Sequence, residues 1–161
     1  MKDFCITTNS SIVLEPLSLR LVNKIYKQDW ISAVNTNTDK LKSSRNFIKD
    51  YLKYSLILLA PKSYCWVVSD KYTKRVFGVI LFTVHSNFLT LDFVFKKKVV
   101  NNGVAYDSIS RAISAVSMYH TLPICSYTDS NNKVVINLLV DSGFDFAYSM
   151  DSVNYYMKRG K

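Results

Sequence analysis

The sequence predicts a mixed α/β (α+β) protein in which helices flank a mostly antiparallel sheet. Three observations carry this. Two helical periodicities come early, over residues 19–30 and about 39–59. The period then shortens to that of strands over three successive segments, 64–69, 76–84 and 88–95, separated only by turn-like residues. Finally, a helix-period segment after Asn101-Asn102-Gly103 crosses over to further short strands.

Residues 11–17 read as a first strand. Over 19–30 the apolar residues Leu21, Val22, Ile25 and Tyr26 share one helical face. Residues 35–39 are a polar break. In the second helix Leu41, Ile48, Tyr51, Leu52 and Leu59 fall close to one stripe, and Pro61, which has no N–H and clashes with the preceding turn, ends it. The three strands that follow are rich in β-branched and aromatic residues, with turns at 70–74 and 85–87, and form an antiparallel meander. After Gly103, Ala105, Ile109, Ala112, Ile113 and Val116 recur at intervals of three and four, the pattern of a helix laid on a sheet, and Asp107 in its first turn suits the helix dipole. Residues 122–127 read as a strand and 132–141 as a helix with Val134, Val135, Leu138 and Leu139 inward, capped by Gly143. A hairpin with arms 144–149 and 152–158 about Met150-Asp151 closes the chain. The crossover helix between 95 and 122 makes the fourth and fifth strands parallel, and they are expected to splay apart. With no repeat and no long linker, residues 1–161 form a single domain.

Composition narrows the function classes. Apolar residues make up 48% of the 161, enough for a sizeable core, and only 4 glycines and 3 prolines argue against disorder. The N-terminus lacks a signal-peptide run and the apolar stretch 56–61 is far shorter than the ~20 residues that span a bilayer, so a soluble cytoplasmic protein with no membrane partner is expected. Cys5, Cys65 and Cys125 are odd in number and widely spaced, which fits reduced thiols. With only His85 and His120 beside them, no metal centre is expected. Twenty-one basic against twelve acidic residues give a net charge of +9, a field that attracts polyanions: nucleic acid or a phosphate-rich cofactor. Much of this charge is spread for solubility, and Lys96-Lys97-Lys98 is its one cluster.

That cluster belongs to the most informative stretch. From Leu91 through Lys98 to Ala105 a strand runs through a polar loop into a helix, and helix-terminal amides that lack intrahelical acceptors, helped by the dipole, hold a pyrophosphate without any particular side chain. Gly103 lets the backbone approach closely.

Gly103 and Ala105 fit the Gln/Arg-x-x-Gly-x-Gly/Ala signature of the GNAT superfamily of N-acetyltransferases, which this chain resembles. Val100 stands where that family usually has Gln or Arg, and Asn101 where a further glycine is common. Downstream, Asn132, Leu138, Gly143 and Phe144 match the family's Asn-x-x-Ser/Ala-x-x-Leu-x-x-Lys/Arg-x-Gly-Phe pattern in register. The resemblance covers about residues 11–158 and lies nearest the ribosomal-protein acetyltransferase branch that includes RimJ and RimL. It implies the GNAT acyl-CoA N-acyltransferase fold, with acetyl-CoA as co-substrate held by Phe93, Val94 and Phe95 on the fourth strand, by Val100, Asn101, Asn102, Gly103, Val104 and Ala105 in the loop, and by Asn132. It further implies that a backbone N–H near Phe93 polarises the thioester carbonyl, while an amine attacks directly.

Relatives often protonate the departing thiolate with a Tyr four residues before Gly-Phe or with the Ser of the Asn pattern. Here these places hold Leu139 and Val135. The remaining catalytic candidates are Asp92 as a base and Tyr127 or Tyr148 as proton donors. Hydrolytic triads, Walker loops and Rossmann glycine patterns are missing, and His120 reads as a helix C-terminal or surface residue. The expected function is N-acetylation of an amine on a protein or small molecule. The alternative is a catalytically inactive GNAT-like module that binds nucleic acid or a protein partner through its basic surface.

Overall fold

The structure, a computed structural model, describes residues 6–7, 11–26, 33–36 and 63–160. The helix expected over 39–59, the stop at Pro61 and Cys5 lie outside the described residues. The elements are β1 (Ile6–Thr7), β2 (Ile12–Pro16), α1 (Leu19–Tyr26), β3 (Ala33–Asn35), β4 (Ser63–Asp70), β5 (Val76–Val84), β6 (Leu89–Lys96), α2 (Lys97–Val100), α3 (Val104–Ser117), β7 (Ile124–Asp129), α4 (Lys133–Asp141), β8 (Asp145–Met150) and β9 (Val153–Lys158). They build one nine-stranded sheet of order β1-β2-β4-β5-β6-β7-β9-β8, with β3 paired separately to β6. Every pairing is antiparallel except β6 with β7.

The central strands read as near-continuous hydrophobic runs because both faces of the sheet are covered. Successive side chains point to opposite faces. Trp66, Ile80, Phe82, Leu91 and Phe93 therefore pack beneath Ile109, Ala112 and Val116 of α3 and Leu139 of α4. On the other face Val67, Val79, Leu81 and Val94 pack with Val22 and Ile25 of α1. Gly78 is the one place where β5 and β6 need a missing side chain: a Cβ there would meet the Phe95 ring and come within 2.6 Å of the Val94 carbonyl oxygen.

Five local expectations change. Val134, expected inward on α4, is exposed, while Val135, Leu138 and Leu139 are buried as expected. A strand that was not expected, β3, precedes the polar break and ends on its first residue, Asn35, since Ala33 to Asn35 pair with Lys96 to Val94. The polar loop after β6 contains a turn of helix, α2, because Val99 reaches the core and is buried. The fifth main strand begins at Ile124, just after Pro123, which cannot donate to a ladder but whose carbonyl accepts from Leu89 N–H at 2.9 Å. The closing turn is Asp151-Ser152, both at positive φ (49° and 67°), the backbone that matches hairpin twist. No helix among the described residues is long and apolar enough to cross a membrane.

Candidate functional site

β6 and β7 run parallel over only two pairs, Leu89 with Ile124 and Thr90 with Cys125, and then diverge. Beyond Thr90 the edge of β6 that faced β7 would present N–H and C=O groups to a wedge. Buried backbone groups of this kind must find partners. The buried Ser126 hydroxyl donates to the Leu91 carbonyl at 2.8 Å and so bridges the mouth of the split.

Deeper in the wedge the partner is β3. Its register sets Val34 opposite Phe95 and Asn35 opposite Val94. Since β5 already occupies the other edge of β6 over the same residues, β3 lies on the β7 side. Thr36, fully buried, closes the arrangement: its N–H donates to the Phe93 carbonyl at 3.2 Å, and its Oγ1 accepts from Phe93 N–H at 3.2 Å. The same hydroxyl donates to Asp92 Oδ1 at 3.3 Å. From across the wedge the Asn132 side-chain amide donates to the Asn35 carbonyl at 3.2 Å, while its Oδ1 accepts from Val135 N–H and caps α4.

Asp92 alternates with Leu91 and Phe93, so its side chain is on the α1 face of the sheet. Partial burial there pushes its carboxyl up to about 6, against the pull of the Thr36 hydrogen bond. The parallel register places Thr90 and Cys125 on one face, and therefore also Asp92 and Tyr127 two residues further along each strand. Burial raises the Cys125 thiol, which disfavours a thiolate. Tyr127 pairs with Tyr155 of β9 (ring centroids 6.0 Å apart), and Tyr148 of β8 stacks on Tyr155 at 4.5 Å. Tyr148 thus stands two strands, about 10 Å, from β7 and is more than half exposed. Val135 and Leu139 are fully buried in the core and carry no proton.

At the end of β6 the chain turns through α2 to Gly103, whose φ of 73° only glycine adopts freely, and α3 starts there with no side-chain cap. Asp107 N–H is the first α3 amide bonded back to Gly103, which leaves those of Val104, Ala105 and Tyr106 without intrahelical acceptors. Among the described residues nothing lies within 4 Å of where a Gly103 Cβ would stand, so they leave the space over this turn open. Asn101 and Asn102 are exposed beside it, Val100 is half-buried against the core, and Lys97 and Lys98 are exposed. His120 lies just past the C-terminal end of α3, where it was expected, with its N–H bonded to the Val116 carbonyl and its Nε2 2.9 Å from the Tyr64 hydroxyl. No cluster of metal-ligating side chains occurs among the described residues.

No protein-family profile matches the sequence, and no curated protein is similar to it at the sequence level. Solved structures do match. An acetyltransferase from Salmonella typhimurium that modifies the N-terminal serine of a 50S ribosomal subunit protein superposes with a TM-score of 0.74, covering 98% of this chain and 100% of its own at 11% identity. The chain has the fold of the GNAT N-acetyltransferases. The ribosomal-protein-S5-alanine acetyltransferase of Vibrio fischeri is similar over 98% of this chain and 97% of its own, with a TM-score of 0.72 and 9% identity. The N-acetyltransferase PseH of Campylobacter jejuni, in complex with acetyl coenzyme A, matches over 92% of this chain and 98% of its own with a TM-score of 0.62 and 15% identity. Within the GNAT fold, the expected antiparallel meander and the splayed parallel pair correspond to β4-β5-β6 and β6-β7. Ser126, Asn35 and Thr36 carry no mark in the sequence, because their partners lie 35 or more residues away in the chain.

Proposed function

We propose that this protein is an acetyl-CoA-dependent N-acetyltransferase, a single domain over residues 1–161 that acts on an amine of a protein or small molecule in the cytoplasm. The observation that carries the proposal is the wedge itself: β6 leaves β7 after Thr90, beside an uncapped helix N-terminus with open space over Gly103. Acetyl-CoA, when bound, supplies the activated thioester. The amides of Val104 and Tyr106 hold its pyrophosphate, with Ala105 buried between them, Asn101 and Asn102 beside them, and Lys97 and Lys98 adding positive field. The β6 edge from Phe93 to Phe95 and the Asn132 amide hold the rest of the molecule.

Asp92 is the base. With a carboxyl near 6 it is ionised at neutral pH yet basic enough to accept a proton from an incoming ammonium, which must be neutral to attack. Tyr127, on the same face, is the proton donor to the departing thiolate, and Tyr148 belongs to the aromatic surface beyond it. Calorimetric titration with acetyl-CoA, followed by a free-thiol assay across peptide N-termini, lysine and polyamines, tests this. Saturable binding and amine-dependent thiol release are expected. Binding without turnover across that panel supports the inactive module instead, a reading favoured by the two buried apolar residues, Val135 and Leu139, at the usual proton-donor places.

A further inference from the structure

The groups assigned to the cofactor arm are already taken by the chain itself. Phe93 N–H and C=O are both engaged by Thr36, Phe95 is opposite Val34, and the Asn132 amide holds the Asn35 carbonyl. We propose that β3 is an internal occupant of the cofactor groove, an extended segment paired to the open edge of β6 where the arm of acetyl-CoA would lie, so that the cofactor binds only when residues 33–36 withdraw. The proposal rests on the acetyl-CoA reading above and adds its regulation.

Two features fit a displaceable occupant. β3 pairs with β6 over three residues only, so few bonds hold it. An arm built of amides and carbonyls would replace those bonds one for one along a strand edge, the chemistry by which extended ligands add to sheets. The proposed device sets affinity by population: if only a fraction of molecules have the groove open, the apparent dissociation constant rises by the reciprocal of that fraction. Each hydrogen bond holding β3 shifts the balance by about two- to twelvefold.

The test compares acetyl-CoA affinity in three full-length proteins by calorimetry. Thr36→Val removes the hydroxyl that accepts from Phe93 N–H and donates to Asp92 while keeping shape, and should tighten binding by about two- to twelvefold. Ala33→Cys with Lys96→Cys lie directly opposite in the ladder, where Cα atoms sit about 4.5–5.5 Å apart, within reach of a disulfide. Oxidised, this protein should lose acetyl-CoA binding, and reductant should restore it in the same sample, which separates locking from misfolding. Equal affinity in parent, Thr36→Val and oxidised double-cysteine proteins overturns the proposal and leaves the acetyl-CoA reading standing. Absence of binding in all three, with reductant present, overturns both.

Discussion

Replacement of Gly103 separates a phosphate cradle from a mere tight turn. At φ 73° a side chain is strained whatever the space around it, and a β-branched residue most of all, so Gly103→Val would lower stability by itself. Asn tolerates the left-handed region best, and Gly103→Asn should cost about 1 kcal/mol, a fall in melting temperature of roughly 2–4 °C for a chain of this size. No neighbour among the described residues lies within 4 Å to resist the added Cβ. The side chain would instead extend into the space beside Gly103, in front of the α3 N-terminus. A charge-assisted hydrogen bond to an anion contributes about 1.5–3 kcal/mol, so loss of two weakens acetyl-CoA binding roughly 100-fold or more. Melting temperature and calorimetric affinity are measured on the same sample. A Gly103→Asn protein that melts within a few degrees of the parent and binds acetyl-CoA as tightly would refute the placement of the pyrophosphate at this turn.

Two further outcomes follow from the wedge. Because burial raises Asp92 from 3.8 to about 6, the folded state binds more protons than the unfolded state between those values, and this group's contribution to stability is present below pH ~4 and lost as pH rises through ~6. Two units correspond to about 3 kcal/mol at most, and Asp92→Asn should flatten that part of the stability profile in denaturant titrations at pH 4 and 7; an unchanged difference between the two pH values argues against a raised carboxyl. Ser126→Ala leaves the buried Leu91 carbonyl without its partner and should destabilise by about 1–3 kcal/mol, or roughly 2–12 °C in melting temperature; a shift below 1 °C would mean water replaces the hydroxyl.

Residue periodicity alone located β5 at residues 76–84 and the α3 core face from Ala105 to Val116, because hydrophobic alternation and helical spacing are local signals that burial on both faces of a sheet only reinforces. The sequence also placed Gly103 at the loop that opens α3 and Asn132 at a helix start, since such local boundaries are decided by nearest neighbours, whereas the positive φ of Gly103 came from the structure. The short elements were not legible. α2 exists because Val99 finds the core, and β3 exists because a splayed strand edge needs hydrogen-bond partners, which Thr36 at the end of β3 supplies to Asp92 and Phe93 from 56 or more residues away. The chemical character of Asp92 was likewise undecided until tertiary packing put it on a covered face beside Thr36, because a carboxyl's basicity depends on the solvent it loses and the partner it gains. Sequence determined which residues line the β6 edge; only the tertiary structure decided that the chain itself fills the wedge beside it, since that occupancy comes from backbone groups any residue carries.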